Sequence, residues 1–298
     1  RNNDRRRNSY RRRNNDRRRN SYRRRNDAHN RGSWLNRTHM PIVTLTTDFG
    51  HSDYYVGAMK GAILRVAPTA QLIDISHQIP PQDILAAAFT LRHAACEFPP
   101  GTTHLAVVDP GVGTQRRPLA FKADNQTWVG PDNGLFSFIL DRVEGPIHEI
   151  DREDLCAPQQ SSTFHGRDIF APIAAHLCDG LDLSEIGPAI PNPIRLNEIA
   201  PRKSPDQIKG QIIHIDRFGN LVSNITASDI EPWESAFRIR FGTHSLSKIK
   251  KAYADVATEE PLALIGSANF LEISVNGGSA AQRFGLSRQA PIIVEKIP

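Results

Sequence analysis

Acidic side chains follow or close three predicted strands in the first half of the chain. They are Asp48 after the first strand, Asp74 with His77 at the end of the second, and Asp109 after the third. Ligands of open parallel sheets bind beyond the carboxyl ends of the strands. The pattern therefore predicts a polar site at this edge of a sheet, although aspartate is also a common turn and cap residue.

Three further polar segments have residue types that suit such a site. DPGVGTQRR at 109–117 contains two glycines, which allow a tight loop whose amides face a ligand. It is not a dinucleotide fingerprint, because Arg116 occupies the third glycine position. His165 lies in SSTFHGRD, just before a predicted helix, and HIDRFGN places a carboxylate and an amide beside Phe218. That last combination suits a purine with a charged appendage.

Predicted strands and helices alternate through the first half of the chain. Apolar residues at helical spacing predict a helix over 55–66, and Asp83 is placed to cap a second helix over 84–97. Prolines then become frequent, and the runs that follow are β-type. We expect an α/β fold: an N-terminal α/β domain over 40–195 with a mainly parallel central sheet, and a smaller, mostly β domain over 205–298.

The first 39 residues differ from the rest. They hold 15 Arg and 3 Asp, and RNNDRRRNSYRR at 1–12 recurs identically at 13–24, whereas the remaining chain holds 22 basic and 29 acidic residues. A repeat without apolar periodicity cannot bury a core, so we expect disorder. It is either an RNA-binding or targeting arm, or upstream sequence translated in front of Met40, and the identical duplication favours the second interpretation. Nucleic acid is expected as a partner only if this tail is native.

Composition also bears on the compartment. The longest apolar run is far shorter than the roughly 18–20 residues of a membrane span, so we expect no membrane partner. The three cysteines, Cys96, Cys156 and Cys178, are widely spaced and form no CxxC pair. Such spacing argues against a disulfide framework or a thiolate zinc site and is typical of a reducing compartment, so we expect a cytoplasmic protein.

Six segments occur in an order that resembles a known family. They are TTDFG at 46–50, DPGVGTQRR at 109–117, PDNG at 131–134, STFHGRD at 162–168, IDRFGN at 215–220 and GSANFLEISVN at 266–276. Together they resemble the S-adenosylmethionine hydroxide adenosyltransferases, hydrolases related to the adenosylmethionine fluorinase and chlorinase. The resemblance spans 41–298. It implies a C-terminal β-barrel and a homotrimer whose active sites lie between the N-terminal domain of one subunit and the C-terminal domain of the next.

The resemblance implies hydrolysis of S-adenosyl-L-methionine to adenosine and L-methionine by in-line attack of water or hydroxide on the ribose 5′ carbon. The residues that mark the hydrolase branch map onto Asp109, Arg116 and His165. Asp109 is expected to orient and partly deprotonate the water, Arg116 to keep Asp109 ionised, and His165 to hold the water or relay its proton. The final proton acceptor stays open. No cofactor is implied, since S-adenosylmethionine is the substrate.

The resemblance also implies a set of binding residues. They are Asp48 for the ribose hydroxyls, Asn220 for the adenine edge, Phe218 for stacking on the adenine ring, Asp53, Asp216 and Ser267 for the methionine amino and carboxylate ends, and Glu272 with the backbone near Val275 as further contacts. Gln82 stands where the halogenases carry a tryptophan against the ribose, which implies a more polar ribose wall.

A second function stays open from the residues alone. Asp48, Asp53, Asp74, His77 and Asp83 are oxygen and nitrogen donors of the kind that hold Mg²⁺ or Mn²⁺ in a nucleotide phosphohydrolase. Against this interpretation, these five residues include no adjacent carboxylate pair, and the sequence has no phosphate-cradling loop. The main prediction therefore names no metal ligand.

Overall fold

The computed structural model describes residues 40–196, 200–233 and 237–297. The Arg-rich repeat at 1–39, with its predicted disorder, lies outside these residues. The described chain is a mixed α/β fold with two sheets, one in each half. No helix within the described ranges is both long and apolar enough to cross a bilayer.

Seven strands form the first sheet, in the order β2-β1-β3-β5-β4-β6-β7. In chain order they are β1 (Ile42–Thr47), β2 (Gln71–Ser76), β3 (Thr103–Val107), β4 (Pro118–Ala123), β5 (Gln126–Pro131), β6 (Ile147–Glu149) and β7 (Ala189–Ile190). Strands β2, β1, β3 and β5 pair in parallel, and the remaining pairings are antiparallel. The prediction of a mainly parallel sheet is therefore correct for only half of the strand pairings in the first sheet.

A two-residue turn explains the first antiparallel pairing, that of β4 with β5. Asp124 and Asn125 join β4 to β5, and both have positive φ angles, 54° and 57°. Such a turn matches the twist of a hairpin and forces the two strands to run in opposite directions. The Asp124-Asn125 pair is a hairpin signal in the sequence. The prediction missed it because it assumed that a helix follows each strand.

Helices cover both faces of the first sheet. They are α1 (Tyr55–Val66), α2 (Ile84–Ala95) and α3 (Ala171–Cys178). Alternate residues of β3 enter different cores: Leu105 packs in the cluster that holds α1 and α3, and Ala106 packs in the cluster that holds α2. Because successive side chains of a strand point to opposite faces, the sheet is the middle layer of three.

Nine strands form the second sheet, which curls around one apolar core. In chain order they are β8 (Arg202–Ser204), β9 (Gln207–Ile215), β10 (Leu221–Thr226), β11 (Phe237–Phe241), β12 (His244–Leu246), β13 (Ile249–Lys250), β14 (Pro261–Ile265), β15 (Phe270–Val275) and β16 (Pro291–Lys296), with the short helices α4 (Ala227–Ile230) and α5 (Ala280–Phe284) between them. The sheet bends at β9, which pairs first with β16 and then with β10. In the described chain its ends, β12 and β13, do not pair, so the sheet is an open half-barrel.

Helix α2 joins the two halves. Asp83 accepts a hydrogen bond from the Ala86 amide at 2.9 Å, which confirms the predicted cap, and it also pairs with Arg288 of the second half. Phe89 stacks on His214, with ring centroids 4.7 Å apart. These contacts bury one face of α2 against β9 and hold the second sheet on the first.

Candidate active site

A buried ion pair lies beyond the carboxyl end of β3. Arg116 donates from Nε to Oδ1 of Asp109 at 3.0 Å and from Nη2 to Oδ2 of the same carboxylate. Only 6% of the Arg116 side chain and 5% of the Asp109 side chain are exposed. The bidentate geometry holds both groups in one plane and one orientation. The carboxylate is therefore presented in a single fixed position.

His165 completes this unit. Its Nδ1 lies 3.1 Å from Nη2 of Arg116. A guanidinium can only donate hydrogen bonds, so Nδ1 accepts and the proton of the neutral ring sits on Nε2. Burial lowers the pKa of His165, and the positive charge of Arg116 lowers it further. His165 is therefore a neutral ring at neutral pH, with an Nε2–H group to donate.

Two loops meet to form the unit. Gly113 has a φ of 76°, and a Cβ atom there would lie 2.4 Å from the carbonyl oxygen of Ser162. The loop that carries Arg116 thus packs directly on the loop that carries His165. Beneath them, the guanidinium of Arg116 lies 5.1 Å from the ring centroid of the fully buried Phe170. Gly113 therefore allows the two loops to pack closely, and the ring of Phe170 supports the Arg116 side chain from below.

A cavity of about 300 Å³ opens beside this unit, and its polar wall includes Asp48, Asp109, His165 and Gln82. The Gln82 amide donates to Oδ2 of Asp48 at 2.7 Å. Gln82 has a φ of 64°, a conformation that side chains other than glycine rarely adopt. The strained backbone turns this amide toward Asp48 and fixes the orientation of the carboxylate.

A second, larger cavity of about 870 Å³ lies in the other half of the chain. Its lining includes all six binding residues predicted for that half, Asp216, Phe218, Asn220, Ser267, Glu272 and Val275. No residue of this lining belongs to the first cavity. The structure thus brings the predicted residues together as two groups, each in its own cavity.

Asp216 organises the rim of the second cavity. Its Oδ1 accepts from the backbone amides of Phe218 and Asn220, each at 2.9 Å, and its Oδ2 accepts from the Asn220 side chain at 2.8 Å. This turn holds the Phe218 ring out in solvent, where 76% of the residue is exposed. An exposed, well-anchored aromatic ring is available to stack on a flat ligand.

Tyr253 contributes to the second cavity and was not among the predicted residues. Its hydroxyl donates to Oε1 of Glu272 at 2.8 Å, and Ser274 donates to the same oxygen at 2.7 Å. Burial and the bond to Glu272 raise the pKa of Tyr253 to about 12. Tyr253 lies outside the six recognised segments, so the sequence offered no signal for it.

Other predicted polar residues do not join either group. Asp53 is exposed and lines neither cavity. Asp74 accepts from Lys60 at 2.7 Å and lies 3.1 Å from His77, as part of β2. Within the described ranges, no three His, Cys, Asp or Glu side chains converge as metal ligands would. The five-residue cluster on which the phosphohydrolase interpretation depends is therefore not assembled.

We expect Gly113→Ala to lower the free energy of unfolding by about 1–3 kcal/mol, because the new Cβ meets the Ser162 carbonyl at a positive φ. Gly57→Ala is the matched control: it lies on the exposed face of α1, where a Cβ contacts nothing, and should stabilise by about 0.5–1 kcal/mol. Urea denaturation of the two variants checks this. Equal stabilities for Gly113→Ala and the parent protein would contradict the packing of the two loops.

Comparison with known proteins gives the family. The sequence profile described as the SAM hydroxide adenosyltransferase N-terminal domain matches residues 43–187, and the corresponding C-terminal domain matches residues 210–293.

Individual relatives agree. A protein of Salinispora tropica named (R)-S-adenosyl-L-methionine hydrolase is 37% identical over 252 residues, which are 83% of this chain and 95% of that protein. One of the same name from Thermus thermophilus is 36% identical over 259 residues, 84% of this chain and 98% of that protein. A fluorinase of an Actinoplanes species is 25% identical over 293 residues, 86% of this chain and 98% of that protein.

Similarity extends to solved structures. The crystal structure of an uncharacterized conserved protein from Thermotoga maritima is 37% identical, with a TM-score of 0.79, and the match covers 86% of this chain and all of that one. The profiles cover most of the described residues, and the relatives exceed a third in identity over four-fifths of the chain. The chain therefore belongs to the S-adenosylmethionine hydroxide adenosyltransferase family.

Proposed function

We propose that this protein hydrolyses S-adenosyl-L-methionine to adenosine and L-methionine. The observation that carries the proposal is the buried Asp109–Arg116–His165 unit, of which Asp109 and His165 line the first cavity. The names of the relatives support the same reaction, since proteins 36% to 37% identical to this chain are called (R)-S-adenosyl-L-methionine hydrolases.

The position of the carboxylate on the cavity wall favours water over a halide as nucleophile. The carboxylate of Asp109 lines the cavity and would repel an approaching anion, whereas it accepts a hydrogen bond from water. The sulfonium of the substrate leaves as a neutral thioether, so the reaction needs no general acid. The protein has to orient one water molecule in line with the C5′–S bond and remove its proton.

Each member of the unit has one task in this reaction. The Nε2–H of His165 donates to the water oxygen and orients it, and Asp109 accepts the proton as the bond from oxygen to C5′ forms. The C5′–S bond breaks at the same time, and its electron pair leaves on sulfur. Nδ1 of His165 already accepts from Arg116, so Arg116 and His165 have only donors left for the water, and Asp109 is the acceptor among the three. Nη1 of Arg116, a buried donor without a protein partner among the described residues, stays available to a bound polar molecule.

We further propose that two subunits share each active site within a homotrimer. Asp48 and the catalytic unit line one cavity, whereas Phe218, Asn220 and the residues for the methionine ends line another. If the first cavity of one subunit faced the second cavity of its neighbour, the two together would enclose the whole substrate. The N-terminal unit at 40–195 and the C-terminal unit at 205–298 then act as the two walls. Asp53, exposed on the first half, would reach the methionine end at the same boundary.

Product analysis tests the reaction. The full chain, incubated with S-adenosylmethionine and EDTA, should form adenosine and methionine in equal amounts, as measured by chromatography. Asp109→Asn should lower kcat by about 100-fold or more while the substrate Kd from calorimetry stays within a few-fold, because Asp109 contacts water rather than adenine. Intact S-adenosylmethionine, together with Mg²⁺-dependent release of phosphate from nucleoside phosphates, would favour the phosphohydrolase. Unchanged kcat in Asp109→Asn would remove Asp109 from the chemistry.

The pH profile tests the protonation state of His165. Protonation would place a second donor against Arg116, so only the neutral ring supports the unit. Because its pKa lies below the ordinary value of 6.5, kcat should be constant near pH 7 and fall on the acid side with a midpoint below 6.5. His165→Asn keeps an acceptor for Arg116 and cannot titrate, so its residual activity should lack this acid limb. A midpoint above 6.5 would contradict the assignment.

Subunit mixing tests the shared site. Asp109→Asn and Phe218→Ala each damage a different wall, so each variant alone should be nearly inactive at low substrate concentration. In trimers that assemble from an equal mixture, each wall of a site is intact in about half of the cases. About one quarter of the sites should therefore have two intact walls and be active. Sizing chromatography checks the assembly. If mixing restores no activity, both walls belong to one subunit.

A further inference from the structure

The PDNG segment at 131–134 has no part in the proposed reaction. It begins at Pro131, the last residue of β5, and β5 pairs in parallel with β3, the strand that leads to Asp109. Neither Asp132 nor Asn133 lines the two cavities, and Asp132 is only 2% exposed. A buried aspartate and an asparagine beside the catalytic loop therefore have partners within the protein.

Asn133 holds the start of the catalytic loop. Its Nδ2 donates to the backbone carbonyl of Val108 at 2.9 Å, and its Oδ1 accepts from the Leu135 amide at 3.2 Å. Val108 immediately precedes Asp109 and is fully buried. The Asn133 side chain thus ties the last residue before the catalytic carboxylate to the neighbouring strand.

Asp132 holds the end of the same loop. Its Oδ2 accepts from Nε of Arg117 at 2.9 Å and also from Nη2, and its backbone amide donates to the Arg117 carbonyl at 2.9 Å. Arg117 immediately follows Arg116. The other carboxylate oxygen of Asp132 accepts from the amide of Ile194, in the connection between the two halves, at 2.7 Å. Both ends of the 109–116 loop are therefore fixed by two consecutive residues.

We propose that Asp132 and Asn133 are positioning residues, which set the catalytic pair by clamping the loop that carries both members. This inference rests on the proposed function for its effect on turnover. Asp109 and Arg116 lie seven positions apart along one loop, yet they must meet in a bidentate geometry. Hydrogen bonds to Val108 and Arg117, which flank the loop, fix the distance between its two ends. The bond from Asp132 to the Ile194 amide also ties this loop to the connection that leads into the second half of the chain.

Release of the clamp should affect turnover more than substrate binding. A small misplacement of a catalytic group costs about 10- to 100-fold in rate. Asn133→Asp has the same shape and keeps the acceptor for Leu135, but it puts a carboxylate where Val108 needs a donor. We expect kcat to fall about 10- to 100-fold while KM changes less than about three-fold. Asp132→Asn, which weakens the hold on Arg117, should act in the same direction.

Gln126→Ala is the matched control. Gln126 is a buried amide at the other end of β5, and it donates to the carbonyls of Ala95 and Phe98 at 3.1 and 2.9 Å, away from the catalytic loop. Its loss should lower the unfolding temperature as much as Asn133→Asp does and leave kcat unchanged. If kcat falls in proportion to the loss of stability in Asn133→Asp, Asp132→Asn and Gln126→Ala alike, the positioning role is wrong.

Amide hydrogen exchange separates this inference from the proposed function. In the full-length protein without substrate, Asn133→Asp should increase exchange in the peptides that cover 108–117, and Gln126→Ala should not. If the parent protein forms no adenosine but the loop responds this way, the clamp stands and the proposed reaction falls. If exchange over 108–117 is unchanged in Asn133→Asp, the clamp is wrong whatever the reaction.

Discussion

The bidentate ion pair between Asp109 and Arg116 is the interaction on which the site depends. Two charges that are nearly removed from water carry a desolvation cost of several kcal/mol each, which only good geometry and further hydrogen bonds offset. The surrounding structure supplies both. Phe170 forms the floor under the guanidinium, and His165 accepts a third hydrogen bond from it. Burial lowers the pKa of His165, and the positive charge of Arg116 lowers it further, so this arginine affects the protonation of its neighbour as well as the position of the carboxylate.

The carboxylate of the same pair favours water over a halide as the nucleophile of the proposed reaction. A halide site requires neutral donors and a dry pocket, since a carboxylate repels an anion at short range. Here the cavity wall carries a carboxylate that is held in place by its own counter-ion. Water tolerates that environment and gains an acceptor for its proton. In the proposed reaction, the electrostatics of this one loop therefore favours water as the nucleophile. The sequence similarity of the chain as a whole extends to fluorinases that are 21% to 26% identical to it.

Division of labour between the two halves follows from their architecture. The first sheet places loops at the carboxyl ends of β1 and β3, where short polar side chains can be fixed with high accuracy. The curled second sheet offers a broad rim, on which the Asp216 turn holds Phe218 out in solvent. A rigid polar unit suits the reacting carbon, and a broad aromatic rim suits a purine. The contact of α2 with β9 holds these two surfaces in a constant relation within each chain.

Much of this was determined by the sequence. The periodicity over 55–66 predicts α1 with its observed ends, Asp83 caps α2 as predicted, and the six segments identify the family. Local signals of this kind depend on neighbours along the chain. The antiparallel half of the first sheet went unpredicted because the Asp124-Asn125 turn is too short to register in a pattern of alternating elements. The grouping of the site residues was decided only by the tertiary structure. Arg116 meets Asp109 while Arg117 turns to Asp132, and Asp74 remains on β2, because the distances involved depend on how loops from separate strands pack together.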